Sequence, residues 1–374
     1  MERRTAIVIG AGIVGLATAR ALANRGYRVT VFERNLKASG ASVRNFGMVW
    51  PIGQPPGKLY EWAIRSRNCW MEIGESASLW YDPVGSLHLA YHKDEWQVLN
   101  ELFSFFRNEG RNVQLLTREQ VGEISNVAKQ DHCYGGLFSS DEIIVDPREA
   151  MEILPLYLEN ELGVEFFWGK AITEVHTGYI VADGQKIRAD QIFICSGSDF
   201  ETLYPDVFSL FAMTKCKLQM MRLMEEGSSR IGPAVCGGLS LIHYSSFKAA
   251  PSLHILRERY EKELHELLKW GIHVMVSQNR IGELTVGDSH EYGLAPDPFD
   301  RNHINDLILG YLKEFVILKN PRLTETWNGV YAKCTNGRTE IFYSPETDVY
   351  IVNGVGGAGM TLSFGFTEEK VNAL

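Results

Sequence analysis

Three glycines near the start of the chain have the spacing of a loop that binds phosphate groups. Gly10, Gly12 and Gly15 follow the apolar stretch Thr5–Ile9, and an alanine-rich stretch of helical character begins at Ile13. In such a loop the first glycine makes the turn, the second lets the backbone approach a pyrophosphate, and the third lets helix and strand pack together. The helix N-terminus then faces the phosphate charge. The spacing therefore predicts a dinucleotide site at the end of a first strand.

An acidic residue follows at the distance that this site requires. The helical stretch stops at Gly26, and residues 28–32 form a second apolar strand that leads into Glu33. A carboxylate about twenty residues after the glycines binds a ribose hydroxyl of the nucleotide. A glycine-rich βαβ unit without a ligand is the alternative, but it gives no reason for the position of Glu33. The sequence thus predicts an α/β fold with a nucleotide-binding sheet.

Two further loops suit an extended cofactor. Residues 39–48 are mostly small or hydrogen-bonding, at a point where a nicotinamide enzyme normally continues into another helix and strand. Later in the chain, the apolar strand 349–352 leads into the glycine-rich loop 354–361, which has no acidic partner about twenty residues on. We expect this loop to offer backbone donors and not to form a second nucleotide domain.

With these motifs in this order, the chain resembles the flavin-dependent amine and amino-acid oxidoreductases, a family that includes D-amino acid oxidase, glycine oxidase and monomeric sarcosine oxidase. Asp146-Pro147, the strand that ends in Ser196-Gly197, and Val286-Gly287 extend the resemblance over almost the whole chain. Residues 42–47 are similar to a bacterial subgroup associated with aminophosphonate breakdown. The resemblance implies FAD, a Rossmann-like FAD-binding domain and an interleaved substrate domain built on an antiparallel sheet.

The resemblance and the sequence pattern divide the chain into discontinuous segments. We expect an FAD-binding domain of residues 1–84, 145–208 and 325–374, and a substrate-binding domain of residues 85–144 and 209–324. Helical periodicity predicts helices over residues 59–77, 94–110, 146–162, 258–269 and 303–318. Alternating or continuous apolar residues predict later strands over residues 86–91, 164–167, 187–195, 215–223, 239–246 and 281–286.

The resemblance also implies which residues hold the flavin, without a covalent link. Tyr331 stands where the sarcosine enzyme has the cysteine that attaches its flavin, and Cys334 comes three residues later. The residues that match the family's FAD contacts are Gly10, Gly12, Ile13, Val14, Gly15, Glu33, Arg34, Ala41, Ser42, Arg44, Asn45, Phe46, Gly47, Met48, Ile172, Ser196, Gly197, Gly329, Gly356, Gly357, Ala358, Gly359, Met360 and Thr361.

The implied chemistry is oxidation of an amine to an imine, which hydrolyses to a carbonyl compound. His290 is the candidate pocket residue that faces the flavin ring, and a histidine satisfied in a surface loop is its alternative. Tyr331 replaces the arginine that binds a carboxylate in D-amino acid oxidase and glycine oxidase, and Thr361 replaces a lysine of the sarcosine enzyme. The candidates that remain for an anionic group are Arg44, Tyr244, His290, Tyr331 and Thr361, and for Arg44 a structural role is equally open. Three tryptophans are candidates for the pocket wall: Trp50, Trp62 and Trp327.

Composition argues against several partners. The 374 residues carry a net charge of -9 without a cluster of lysines and arginines, which disfavours a nucleic-acid or anionic membrane surface. The six cysteines lack zinc-ligand spacing, and His88 and His92 on one strand would lie about 13 Å apart. We therefore expect no metal and a reducing, cytoplasmic compartment. No apolar run reaches the roughly eighteen residues of a membrane-spanning helix.

Together these observations predict an FAD-dependent oxidoreductase that acts on a small primary or secondary amine, such as 2-aminoethylphosphonate or its N-methyl derivative. Glycine, sarcosine or D-amino-acid oxidation with a different carboxylate clamp is the enzymatic alternative. A flavoprotein domain that modifies tRNA and a flavin-binding module without activity are alternatives of other classes. The electron acceptor stays open between oxygen, a quinone and another carrier.

Overall fold

The computed structural model describes residues 3–225 and 230–374. Within them, the first sheet has six strands, which are parallel except for one antiparallel edge pair. In spatial order they are β20 (Ile341–Glu346), β21 (Val349–Asn353), β13 (Gln191–Ile194), β1 (Thr5–Ile9), β2 (Arg28–Glu33) and β9 (Glu165–Trp168).

The two faces of this sheet carry different layers. Side chains alternate along β1, so that Ala6 and Val8 enter the core shared with the helices, while Ile7 and Ile9 enter the core on the opposite face. The helices on the first face are α1 (Ile13–Asn24), α2 (Lys58–Ala77), α5 (Pro147–Leu162) and α10 (Gly359–Asn372). The opposite face carries a small antiparallel sheet of β10 (Ile172–His176), β11 (Tyr179–Ala182) and β12 (Gln185–Arg188), with the short helix α6 (Pro205–Phe208).

A second, larger sheet of nine strands occupies the other part of the described chain, and its pairings are antiparallel except that β5 and β15 run parallel. Its strands are β5 (Ser86–Ala90), β6 (Val113–Leu116), β7 (Gly135–Ser139), β14 (Met213–Glu225), β15 (Ala234–Cys236), β16 (Met275–Gln278), β17 (Leu284–Gly287), β18 (Glu291–Gly293) and β19 (Pro321–Cys334). Its helices are α3 (Lys93–Asn108), α4 (Arg118–Ile124), α7 (Leu253–Glu263), α8 (His265–Lys269) and α9 (Asn302–Phe315). A short sheet of β3 (Met48–Val49), β8 (Ile143–Val145) and β4 (Tyr81–Asp82) completes the fold.

The predicted α/β fold is confirmed, and so are most of the predicted elements. The strand predicted over residues 239–246 is wrong, because this stretch forms two 3-10 turns, Gly238–Ile242 and Ser245–Ala249. Leu239 and Leu241 alternate as in a strand, but both are buried in turns instead. The strand predicted from residue 281 begins only at Leu284, since the turn before it uses Gly282 at a φ of +89°.

One predicted segment joins a different sheet from the one expected. The segment 325–374 was assigned to the FAD-binding domain, yet β19 pairs with β14 over almost its whole length. Residues 325–334 therefore belong to the large sheet, because their backbone hydrogen bonds are made there. The other predicted boundaries stay predictions, and residues 1–2 and 226–229 of the predicted segments lie outside the described residues. Among the helices that are described, none is both long and apolar enough to cross a membrane.

At the contact between α2 and α10, Gly365 occupies a position with no room for a side chain. A Cβ atom at Gly365 would lie 2.4 Å from the carbonyl oxygen of Trp62. Gly365→Ala should therefore push the two helices apart and lower the free energy of unfolding by about 1–3 kcal/mol. Thermal unfolding of the flavin-loaded protein measures the loss.

The matched control is Gly310→Ala in α9, where an added Cβ would have nothing within 4 Å. This variant should be neutral or more stable, by up to about 1 kcal/mol, because alanine loses less conformational entropy in a helix. Equal melting temperatures of the two variants would contradict the predicted helix contact.

Candidate active site

The glycine loop holds α1 directly against the end of the first sheet. Gly10 has a φ of +104°, and a Cβ there would lie 2.4 Å from the carbonyl oxygen of Cys195. A Cβ at Gly15 would lie 1.9 Å from the carbonyl oxygen of Gly10. Glu33 closes the loop from β2, since its Oε2 accepts a hydrogen bond from the Ala11 amide at 2.9 Å. The loop has the geometry expected of a dinucleotide fingerprint.

The run of small residues after β2 lies against the start of α1. Ser42 Oγ accepts a hydrogen bond from the Ile13 amide at 2.9 Å. Asn45 ties the run together, donating to the Ser42 carbonyl at 2.8 Å and accepting from the Gly47 amide at 2.8 Å. Gly47 has a φ of +71°, and a Cβ there would lie 1.8 Å from the carbonyl oxygen of Val145. Its conformation and its surroundings therefore both require glycine.

The C-terminal glycine loop meets the same helix start from the other side. It forms a 3-10 turn, Gly356–Ala358, that leads directly into α10. A Cβ at Gly359 would lie 3.2 Å from the side chain of Ile13, and one at Gly357 would lie 3.3 Å from the ring of Tyr331. Three stretches remote in sequence thus come together around the start of α1.

These stretches enclose a cavity of about 740 Å³, a size typical of ligand sites. All the residues predicted to contact the cofactor line it except Gly15 and Gly47, which serve packing instead. Ile172 reaches it from β10, and Arg34 lines it while paired with Asp199 at 2.6 Å. The structure therefore brings the predicted cofactor residues together, while their contacts with the cofactor stay a prediction.

The four predicted substrate residues line this cavity too: His290, Arg44, Tyr331 and Tyr244. Arg44 is exposed and donates to the carbonyl of Asn328 at 3.1 Å. Tyr244 donates from its hydroxyl to the sulfur of Met275. Thr361, another candidate for the anionic group, already has a hydrogen-bond partner in the protein. Its Oγ1 accepts a hydrogen bond from the Trp50 amide at 2.9 Å.

The predicted tryptophan wall is only partly correct. Trp50 lines the cavity. Trp62 is fully buried between α2 and α10, where its indole N–H donates to Glu369. Trp327 lies on the large sheet between two guanidinium groups, which is a packing position and not a cavity wall.

Three histidines lie together in the cavity wall. The ring centroids of His243 and His273 are 3.7 Å apart, and those of His243 and His290 are 4.9 Å apart. His290 Nδ1 donates to the carbonyl of Gly271 at 3.0 Å, and His273 Nε2 lies 3.1 Å from Asp288 Oδ1. His243 is exposed to the cavity, whereas the other two are buried. The predicted alternative for His290, a surface loop, is wrong, because its side chain is buried in this group.

Burial sets the charge state of this wall. It lowers the pKa of His290 to about 4 and holds the pKa values of His243 and His273 well below the usual range of histidine. The ammonium group of Lys333 contributes to the lowering for His243 and His290. Burial also raises the pKa of Asp288 well above its usual range. At neutral pH the imidazoles of this wall are therefore neutral, and burial shifts Asp288 toward its neutral form.

The sequence pattern missed several lining residues. They include His243, His273, Lys248 and Lys333, which come from separate parts of the large-sheet region. Lys333 and Tyr331 are two apart on β19 and so point to the same face. That period-two spacing is the one signal that would have linked Lys333 to the predicted Tyr331.

Comparison with solved structures agrees with this fold. Glycine oxidase from Geobacillus kaustophilus superposes with a TM-score of 0.80 at 18% identity, covering 100% of this chain and 95% of that chain. L-proline dehydrogenase from P. horikoshii also gives a TM-score of 0.80, at 20% identity, covering 98% and 91% of the two chains. At these identities the likeness shows the fold.

Sequence comparison places the chain in a family. The D-amino acid dehydrogenase of Helicobacter pylori is 22% identical over 254 residues, which cover 53% of this chain and 60% of that protein. The chain thus matches less than two thirds of the length of this curated relative. The family model described as FAD dependent oxidoreductase matches residues 5–369, almost the full chain. The chain therefore belongs to the family of FAD-dependent oxidoreductases that includes D-amino acid oxidase.

Proposed function

We propose that this protein oxidises a small primary or secondary amine that carries an anionic group. One observation supports this most strongly: Lys333, Tyr331 and the three histidines line the cavity beside the C-terminal glycine loop. The carboxyl group among them, Asp288, is buried, which raises its pKa well above the usual range and shifts the charge of this wall, with the ammonium group of Lys333, toward positive values. A wall of that charge attracts an anionic substrate.

The cavity also fits the family's cofactor. Four glycines present backbone without side chains to the cavity: Gly10, Gly12, Gly356 and Gly357. Ser196 lines the cavity with a buried hydroxyl that has no hydrogen-bond partner among the described residues. Glu33 stands at the position for an adenosine ribose, and the N-terminus of α1 at the position for the pyrophosphate. When bound, FAD accepts the hydride that the amine carbon loses.

The protein's own groups then have to bind the substrate and orient its reacting carbon. Tyr331 occupies the place of the family's carboxylate-binding arginine, so the planar fork that matches two carboxylate oxygens is missing there. The separate donors are Lys333 and Tyr331 on β19, together with Arg44 and Tyr244 from two other parts of the chain. Such a set suits a tetrahedral anion with three oxygens better than a planar carboxylate. This argument favours an aminophosphonate, and His290 is the pocket residue proposed to contact its amine or anionic group.

Amino-acid oxidation is the second candidate. The relatives named glycine oxidase, L-proline dehydrogenase and D-amino acid dehydrogenase favour it, because their names specify substrates with a carboxylate. The same positive wall attracts a carboxylate as well. Modification of tRNA is disfavoured by the net charge of -9, since nucleic-acid binding depends on a basic surface.

The cofactor site yields a direct test. Purified protein should be yellow and should release FAD on denaturation without protease. Gly12→Val should give folded but flavin-free protein, because the side chain would enter the pyrophosphate position and already a Cβ there would lie 3.2 Å from Ser42 Oγ. Absorbance of the native and denatured protein measures the flavin, and circular dichroism reports the fold. FMN, or flavin that stays with acid-precipitated protein, would refute this assignment.

The substrate class can be tested by anaerobic reduction of the bound flavin, which is independent of the electron acceptor. 2-Aminoethylphosphonate or its N-methyl derivative should reduce the flavin with a higher kcat/KM than glycine, sarcosine or D-alanine. The expected reason is the set of separate donors around a tetrahedral anion. A wide margin in favour of sarcosine or D-alanine would instead support the amino-acid candidate.

The contribution of Arg44 can be isolated with a neutral substrate. A charge-assisted hydrogen bond contributes about 1.5–3 kcal/mol, so Arg44→Ala should lower kcat/KM for the anionic amine by about 10- to 100-fold. An amine of similar size without the anion should be almost unaffected. Arg188→Ala, an exposed arginine on β12 outside the cavity, is the matched control. An equal loss for both amines would assign Arg44 a structural role.

A further inference from the structure

The three histidines in the cavity wall have the arrangement of a metal site. One ring nitrogen each from His243, His273 and His290 lies within 4.8 Å of those of the other two. A zinc ion with bonds of about 2.0–2.1 Å holds tetrahedral ligands about 3.4 Å apart, so side-chain rotations that separate the closely packed rings of His243 and His273 would bring these nitrogens to one ion. His243 is the exposed member of the three, so it has more room to turn than the buried pair.

One of the rings already has a partner that orients it as a ligand, and a second lies close to a carboxyl group. The Nδ1–H group of His290 donates to the Gly271 carbonyl at 3.0 Å, so its Nε2 presents a lone pair. His273 Nε2 lies 3.1 Å from Asp288 Oδ1, but that oxygen has no hydrogen-bond partner among the described residues, so this contact alone does not set which nitrogen of His273, Nε2 or Nδ1, carries the lone pair. That buried Nδ1 has no hydrogen-bond partner among the described residues. Backbone carbonyls and carboxylates orient metal-bound histidines in this way.

The ligand set indicates the kind of ion. Neutral imidazoles suit zinc, nickel, copper and iron, whereas magnesium and calcium require oxygen ligands. Three protein ligands leave a fourth tetrahedral position for water or substrate. Here the cavity supplies that position, because all three histidines line it.

The surrounding charges act in opposite directions. The ammonium group of Lys333 repels a bound cation. It donates a hydrogen bond to the hydroxyl of Tyr292 at 3.2 Å. Asp288 lies behind the histidines, 3.1 Å from His273 and 3.9 Å from His290, where a carboxylate favours the cation. Removing the charge of Lys333 should therefore tighten metal binding.

We propose that His243, His273 and His290 bind one divalent transition-metal ion of the zinc type, with an open coordination position that faces the flavin cavity. This inference needs only the three histidines and their partners, and it does not depend on which amine the protein oxidises. An anionic oxygen of a substrate, or a water, completes the coordination.

The test uses tag-free, FAD-loaded protein freed of metals by a chelator and contains no substrate. Titration calorimetry with Zn²⁺ should show one ion per chain, and Co²⁺ should give tetrahedral d–d absorption at wavelengths longer than the flavin bands. His243→Ala should weaken Zn²⁺ binding at least about 10-fold, since the loss of outer partners alone costs about 10- to 100-fold. Asp288→Asn should weaken Zn²⁺ binding by about 10- to 100-fold, as expected for the loss of a residue that contacts a ligand. Lys333→Met should bind Zn²⁺ more tightly.

His254→Ala is the matched control, because this histidine is exposed on α7 and should leave metal binding unchanged. His243→Ala is the primary variant, because His243 is the exposed member of the three and its replacement should destabilise the fold least. The proposal is overturned if the chelated protein binds no stoichiometric Zn²⁺, or if His243→Ala and His254→Ala bind it equally. Binding of inorganic phosphate without any metal uptake also overturns it, and would make the histidines donors to an anion. Since no amine is present, none of these results bears on the proposed oxidation.

Discussion

The close approach of α1 to the end of the first sheet is the constraint on which the rest of the site depends. A Cβ at Gly15 would lie 1.9 Å from the carbonyl of Gly10, so helix and turn fit together only with hydrogen at that position. The resulting position of Ile13 lets its amide bond Ser42 and its side chain contact Gly359. One backbone contact therefore fixes where two remote loops enclose the cavity.

A second constraint comes from the long strand β14, which carries the opposite wall. On one side it pairs with β19, where Cys216 lies opposite Tyr331. On its other side it pairs with β17, where Met220 lies opposite Gly287, the residue before Asp288. Because β19 and β17 both pair with β14, Tyr331 and Lys333 face the same cavity as His290. The strand pairing of the large sheet therefore determines where these side chains lie.

Local patterns were sufficient to predict the α/β fold and the dinucleotide fingerprint, while the resemblance to a family supplied most of the residues that line the cavity. Glycine spacing, apolar strands and helical periodicity act within short stretches, and the structure confirms them for the fingerprint, α1 and the parallel sheet. Residues 239–246 were wrongly predicted as a strand, because alternation cannot distinguish a buried strand from turns whose leucines enter the core. His243, His273 and Lys333 were missed for another reason: only tertiary pairing brings them together. Thr361 shows a third limit, since its hydrogen bond to the Trp50 amide lies between distant residues.

The histidine wall relates the two proposals through charge. Neutral imidazoles in a buried wall have two chemical uses: their N–H groups donate to an anion, or their lone pairs bind a cation. His290 already donates from Nδ1 to an acceptor in the protein, the carbonyl of Gly271, while His273 Nε2 lies 3.1 Å from Asp288 Oδ1. For His290 this leaves the lone pair on Nε2, which is better suited to a cation than to an anion. A metal ion bound to the histidines would make this group attract anions, because it would offer an anionic oxygen a positive site beside Lys333. A phosphonate, with three oxygens, can contact both centres at once, whereas a carboxylate has two oxygens in one plane to divide between them.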